Sequence, residues 1–363
     1  MIFSIETDII DAAMSSEDVA LDVLHQCAIA IIRGKHIVEI KIPDVKKLLS
    51  LKDKFSRQEL SAFVFVSNKY VHLGHLNSLV TIKCIVTFNK KTEKVGNIIY
   101  LNPTDNRSFE FFEETHLLVE NIEDAFFFKY LTDYFQRKQK TMSCSICSYK
   151  LMGGGDTTSK VVEYEMDLQE HFVLAIADSD KHYPGDPHLG ETASKIKSCL
   201  SSNPFNCHLY HMTKVCEIEN LIPFDCIKNL SYFKAHILVT DNKGFDYSFF
   251  DMKDGVHYRY MFSDEGYNHW SSQLSHLLDS QELVTIDSDR LSMSEEDFRK
   301  RHKGKCLFDA FGTQILSLSL TQMKSEKRIF TDADLSPDQQ YEWENIGRII
   351  TSWCCCYSKQ RLY

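Results

Sequence analysis

Residues 172–177 form an unbroken apolar run, FVLAIA, that stops abruptly at Asp178-Ser179-Asp180. A short continuous apolar run predicts a strand buried on both faces, as in a parallel sheet. The elements around it alternate in type. Residues 116–120 predict a strand that ends in a carboxylate, and 122–135 a helix with Ile122, Ala125, Phe126, Tyr130 and Leu131 as its apolar positions. Residues 143–151 predict a second strand and Gly153 to Asp156 a tight turn. A helix is expected over 157–166, another from Gly190 through Leu200, and a fourth strand over 206–212. Alternating strands and helices imply a parallel sheet covered by helices.

The flanks read differently. Ser15-Ser16-Glu17-Asp18 predicts a capped helix running through Leu24 and Ile29, and Gly34 breaks it. Residues 36–42 alternate like a strand. Residues 62–66 and 80–86 carry further strand signals, and a turn at Asn89-Lys90-Lys91 leads into 95–100 as a hairpin. Asn102 to Asn106 marks a boundary. After Pro223 the pattern loosens, with a strand-like stretch at 235–240, a strand and turn over 246–255, and helices over 270–278, 307–318 and 338–353. The expected class is α/β: an α+β N-terminal region (1–110), a parallel sheet flanked by helices (111–225) and a mostly helical C-terminal extension (226–363).

Composition narrows the chemistry. The 363 residues are 43% hydrophobic and 25% charged, an ordinary globular balance. The net charge of −10 argues against avid, non-specific binding to nucleic acid by the chain alone, though not against a local basic groove. The opening MIFSIETDII is acidic and has no basic n-region. No apolar stretch is long enough to span a membrane, so a cytoplasmic protein with reduced thiols is expected from its 12 cysteines. Cys144-x-x-Cys147 lacks a second half at zinc-ribbon spacing. Cys354-Cys355-Cys356 reads as buried or incidental thiols. The triple glycine lacks the GK[ST] of a phosphate loop. His72-Leu73-Gly74-His75 is similar to the HxGH signature of nucleotidylyl transferases. It lacks that family's opening strand and later KMSKS-type stretch, and reads better as turn or packed histidines.

Candidate chemistry collects at strand ends. In open parallel sheets it lies beyond the carboxyl ends of the strands. Asp178 and Asp180, two residues apart, are expected to point the same way and to offer an all-oxygen site suited to Mg²⁺ or Mn²⁺. The plainer account makes them turn and cap residues.

The order strand–Glu120, helix, strand, Gly-rich turn, helix, strand–Asp178-x-Asp180 resembles the Toprim domain of topoisomerases, DnaG-type primases and OLD-family nucleases. Val215 to Leu221, with Glu217 and Glu219, is similar to the segment after the fourth strand in OLD-like nucleases. Asp124 stands where such proteins often carry another acid, and helical geometry would set Glu120 and Asp124 near one face. Lys303-Gly304-Lys305 is similar to a lysine-bearing segment that is catalytic in some of these nucleases. The resemblance spans about Leu117 to Leu221, with Asn121 where a Gly is usual.

The resemblance implies a metal-dependent nuclease acting on DNA or RNA. Glu120, Asp178 and Asp180 would be catalytic metal ligands, with Asp124, Glu217 and Glu219 supporting a second ion or the water shell. Lys305 or Lys303 would face the scissile phosphate; a phosphate contact and a solvated basic face stay open for them. It also implies a role in anti-phage defence beside a separate ABC- or SMC-type ATPase, since no Walker A motif is present here. A homo-oligomer is compatible with this reading. The alternative is a non-catalytic Toprim-fold subunit that binds protein or nucleic acid. A primase or topoisomerase component ranks third.

Overall fold

The computed structural model describes residues 1–105, 110–141, 144–154, 157–202, 207–228, 230, 246–275 and 280–360. The chain packs as two compact units. The first comprises 1–176, 196–211 and 344–363, and the second 177–195 and 212–343. The first unit thus takes in the whole N-terminal region, most of the sheet expected after it, and the end of the last helix.

Among the described residues the first unit holds two larger sheets and one two-stranded pair. β1 (Ile2–Ile5), β2 (Ile37–Ile40), β3 (Lys83–Val86), β4 (Glu93–Val95) and β5 (Ile98–Leu101) lie in the order β2-β1-β3-β5-β4. Only the β4–β5 edge is antiparallel; the hairpin expected between 80–86 and 95–100 is not formed, because β3 pairs with β5 in parallel and the chain instead turns back at Gly96-Asn97. The N-terminal region is therefore largely parallel α/β rather than α+β. Residues 62–66, expected as a strand, lie inside the helix Arg57–Lys69. The physical reason is local. Ser56 and Glu59 close a capping box just upstream, and the buried side chains Ala62, Phe63 and Val66 fall on one helical face, leaving Val64 exposed.

The second sheet uses β6 (His116–Val119), β8 (Tyr149–Met152), β9 (Val173–Ala177) and β10 (His208–Met212), with the short β7 (Ser145–Ile146) just ahead of β8 in the chain. Its order is β10-β9-β6-β8, with β6 parallel to both β8 and β9. The apolar run is the strand β9, buried at all five positions as predicted. Burying each of its larger side chains contributes about 1.5–3 kcal/mol. β7 stands apart from this sheet and pairs antiparallel with Cys355–Cys356. An aromatic cluster ties the unit together: Phe3 of β1 meets Phe112 at 5.1 Å and Phe172 at 5.6 Å between ring centroids.

The second unit is mostly helical. It includes the helices Asp264–Leu274, Ser280–Ser292, Glu295–Arg301 and Ile315–Ser325, and a two-stranded ribbon of β11 (Val256–His257) and β12 (Cys306–Phe308). The helix expected at 307–318 starts only at Ile315, because 306–308 pairs as that ribbon. Of the strand and turn expected over 246–255, the turn is present at 252–254 and the strand is replaced by a 3₁₀ turn, Tyr247–Phe249, while the strand expected over 235–240 lies outside the described residues. Among the described residues no helix is long and apolar enough to cross a membrane.

Candidate carboxylate centre

Four of the candidate acids, Asp178, Asp180, Glu217 and Glu219, lie in the second unit. Strand alternation does not orient the two aspartates, because β9 ends at Ala177. The loop orients them instead. Ser179 is fully buried and donates its hydroxyl to the Val215 carbonyl at 2.6 Å, while its amide donates to Thr213 Oγ1. The Asp180 amide donates to the Cys216 carbonyl at 2.9 Å. Asp180 itself adopts a left-handed conformation, φ 52°, which aspartate tolerates better than most residues. Its carboxylate rests against Gly190, where a β-carbon would overlap it.

The segment after β10 is fixed by its own polar groups. The Glu217 amide donates to Asn220 Oδ1 at 2.7 Å, which starts the 3₁₀ helix Ile218–Leu221. The Ile218 amide donates to Asp178 Oδ1 at 2.9 Å, so the two acidic segments are bonded directly. The carbonyls of this segment are also held: Trp343 Nε1 donates to Leu221 O, and Gln339 Nε2 donates to the carbonyls of Asn220 and Ile222. Asn220 Nδ2 then reaches the carbonyls of Tyr247 and Phe250. That clamp delivers the following turn, Asp251 to Gly255, to the acids.

The turn brings a lysine that the sequence reading did not single out. Lys253 Nζ lies 3.0 Å from Glu217 Oε1 and 3.2 Å from Glu219 Oε1. Burial opposes its charge, yet Glu219, Glu217 and Asp178 together hold the ammonium well above the usual lysine range. Burial pushes the Glu217 carboxyl up to about 8, with Glu219 adding to it and Lys253 opposing. Burial likewise raises Glu219, Asp180 and Asp251. Two carboxylates thus contact the ammonium, and Asp178, Asp180 and Asp251 act on it electrostatically. Oε2 of Glu217 and Oε2 of Glu219 are buried with no hydrogen-bond partner. An oxygen-rich, negatively charged set with unsatisfied carboxylate oxygens has the donor chemistry a hard divalent cation prefers, although among the described residues no three of these acids bring ligand oxygens within 4.8 Å of one another.

Asp180 also borders a cleft of about 430 Å³, lined in part by His182, Tyr260, Arg259 and Arg299. His182 stacks on Tyr260 with centroids 3.6 Å apart, and the Arg259 guanidinium lies over the same ring at 4.9 Å. Burial lowers His182 to about 4, so its ring is neutral near pH 7.

Glu120 and Asp124 belong to the first unit. Glu120 follows β6 at a bend, and the next helix, Ile122–Lys138, is capped by Asn121, so the two acids do not share a helical face. Asp124 accepts from the Asn121 amide at 2.8 Å and closes a capping box, which also accounts for asparagine at that position. Lys305 is exposed, and its ammonium lies over the Tyr258 ring at 5.9 Å; Lys253, not Lys305, contacts the carboxylates. In the neighbouring charge run, Arg299 and Lys300 pair with Glu295 and Glu296 one helical turn away, a solvated face.

The one sequence sign of the missing cation was Asp251-Met252-Lys253-Asp254-Gly255, two acids around a lysine before a turn glycine. Comparison with protein-family models, with curated proteins and with solved structures gives no match for this chain.

Proposed function

We propose that the carboxylate centre of the second unit is a metal-dependent phosphodiester-hydrolysing site, acting on DNA or RNA. The observation that carries this reading is the meeting of five acids and one lysine beside a cleft with arginines and stacked aromatic rings. Mg²⁺ or Mn²⁺, held by Asp178, Asp180, Glu217 and Glu219, would supply an activated water and neutralise phosphate charge. Lys253 keeps the buried glutamates together as a point cation. Arg259 draws a polyanion to the cleft wall, and the His182–Tyr260 pair offers a face on which a base can stack. The resemblance to Toprim nucleases supports the same reading, together with a separate ATPase partner and a defence role. The part of Glu120 and Asp124, in the other unit, is a question for substitution.

A second reading has an observation of its own. Lys253 already supplies a cation to the acids, as expected of a Toprim-fold subunit that binds protein or nucleic acid without cleaving it.

The deciding experiment offers plasmid DNA, single-stranded DNA and total tRNA with Mg²⁺ and then Mn²⁺. Wild type is compared with the Asp178→Ala, Asp180→Ala double variant. Cleavage by wild type alone supports hydrolysis. No cleavage by either, with no thermal shift of wild type in Mg²⁺ or Mn²⁺, overturns it in favour of the binding subunit.

A further inference from the structure

Within the first unit, at the edge of the second sheet where β6 and β9 begin, three side chains converge that belong to no motif. His116 opens β6, Glu165 lies on the helix Thr158–Leu168, and His171 sits in the connection from that helix to β9. One ligand atom from each lies within 4.8 Å of the others. His116 Nδ1 is 2.7 Å from Glu165 Oε2, and the two imidazoles stack with centroids 3.9 Å apart at 16°. Glu165 is almost fully buried, and His171 Nδ1 is buried with no hydrogen-bond partner.

We propose that His116, Glu165 and His171 form a binding site for one zinc-class divalent cation. The donor set selects the ion. Two imidazole nitrogens and one carboxylate suit Zn²⁺ and its first-row neighbours, whereas Mg²⁺ prefers an all-oxygen shell. Three protein ligands leave a fourth position for water. The backbone has already placed the groups: the His116 amide donates to the Phe172 carbonyl at 2.8 Å, which fixes β6 beside the residue that follows His171. Without an ion, a proton bridges His116 and Glu165 and His171 Nδ1 has no partner. With an ion, that proton goes to solvent and all three atoms turn to the metal. The ion would clip the first residue of β6 to the helix and to the entry of β9, so it would stabilise the folded chain.

The test uses the full chain, stripped with chelator and titrated with Zn²⁺ alone and with Co²⁺ alone. Wild type should hold one Zn²⁺ per chain and show a Co²⁺ spectrum of nitrogen and oxygen ligands without sulfur charge transfer, which separates this site from the cysteines. Zn²⁺ should raise the melting temperature of wild type. His171→Ala should weaken Zn²⁺ binding by more than the roughly 10–100-fold typical of losing an outer-shell partner, and should abolish the melting shift. Glu165→Gln keeps a polar group beside His116 and should weaken binding similarly, so the comparison survives if one variant folds poorly. A wild type that takes no Zn²⁺, or gives only a thiolate-type Co²⁺ spectrum, overturns the proposal. So does a folded His171→Ala with unchanged affinity.

Discussion

Lys253 sets its ammonium 3.0 Å from Oε1 of Glu217, a carboxyl that burial has pushed up to about 8. Removing that ammonium leaves buried acids facing each other. Breaking a buried pair costs about 3–5 kcal/mol, and the partial exposure of the lysine side chain (34%) discounts this. Lys253→Met should therefore lower stability by about 2–3 kcal/mol in metal-free buffer. Mg²⁺ should restore part of the loss if the acids accept a divalent ion in its place. Chemical denaturation with and without Mg²⁺ reads both effects, and a variant that Mg²⁺ does not rescue would argue for lysine as the resident cation.

Gly190 gives the Asp180 carboxylate its room. Gly190→Ala should push that carboxylate aside at an overpacking cost of about 1–3 kcal/mol. On the metal reading it should also weaken the thermal response to Mn²⁺ well beyond what a neutral surface change does. Thermal melts across a Mn²⁺ series, beside Gly74→Ala as a control in open space with an ordinary backbone conformation, provide the comparison.

Asp124 closes the capping box of the helix Ile122–Lys138. Asp124→Ala should cost about 0.5–2 kcal/mol, the range for losing a helix cap, and should leave any cleavage rate within about twofold once corrected for the folded fraction. A steep loss of rate at full folding would instead place Asp124 in the chemistry, as its resemblance-based role implies.

His36 is fully buried, and burial holds its imidazole well below the usual range. The sign follows from proton counting. Below about pH 6.5 the unfolded chain binds a proton on this group and the folded chain does not. The stability it contributes is present above that pH and is lost as pH falls through the window. His36→Gln should flatten the decline in stability between about pH 6.5 and 4.5 relative to wild type, as read by urea titrations at each pH.

How far the sequence carried depends on whether the signal was local. β9 was legible because burial on both faces leaves no polar position in Val173–Ala177. The helix Arg57–Lys69 was misread because Ala62 to Val66 suits a strand as well as a helix, and only the cap at Ser56 and Glu59 decides between them. Four acids of the carboxylate centre were visible at strand ends, but Lys253 was not. Its partners are fixed by the Asn220 clamp on 247–250, a contact between distant segments that no spacing encodes. His116 and His171 escaped for the same reason: neighbouring parallel strands bring them together, while along the chain two helices and two strands separate them.

The two units share one chain that crosses between them four times. During synthesis this reverses the usual order, in which N-terminal domains fold first. The strand partner of Ser145–Ile146 is Cys355–Cys356, and the buried Trp353 precedes it, so the first unit cannot complete its packing until those residues have left the ribosome. The second unit has all its residues by Trp343. The acidic centre is thus the part of the molecule that a nascent chain can finish earlier, and a stalled or truncated product would carry the carboxylates without a completed partner unit.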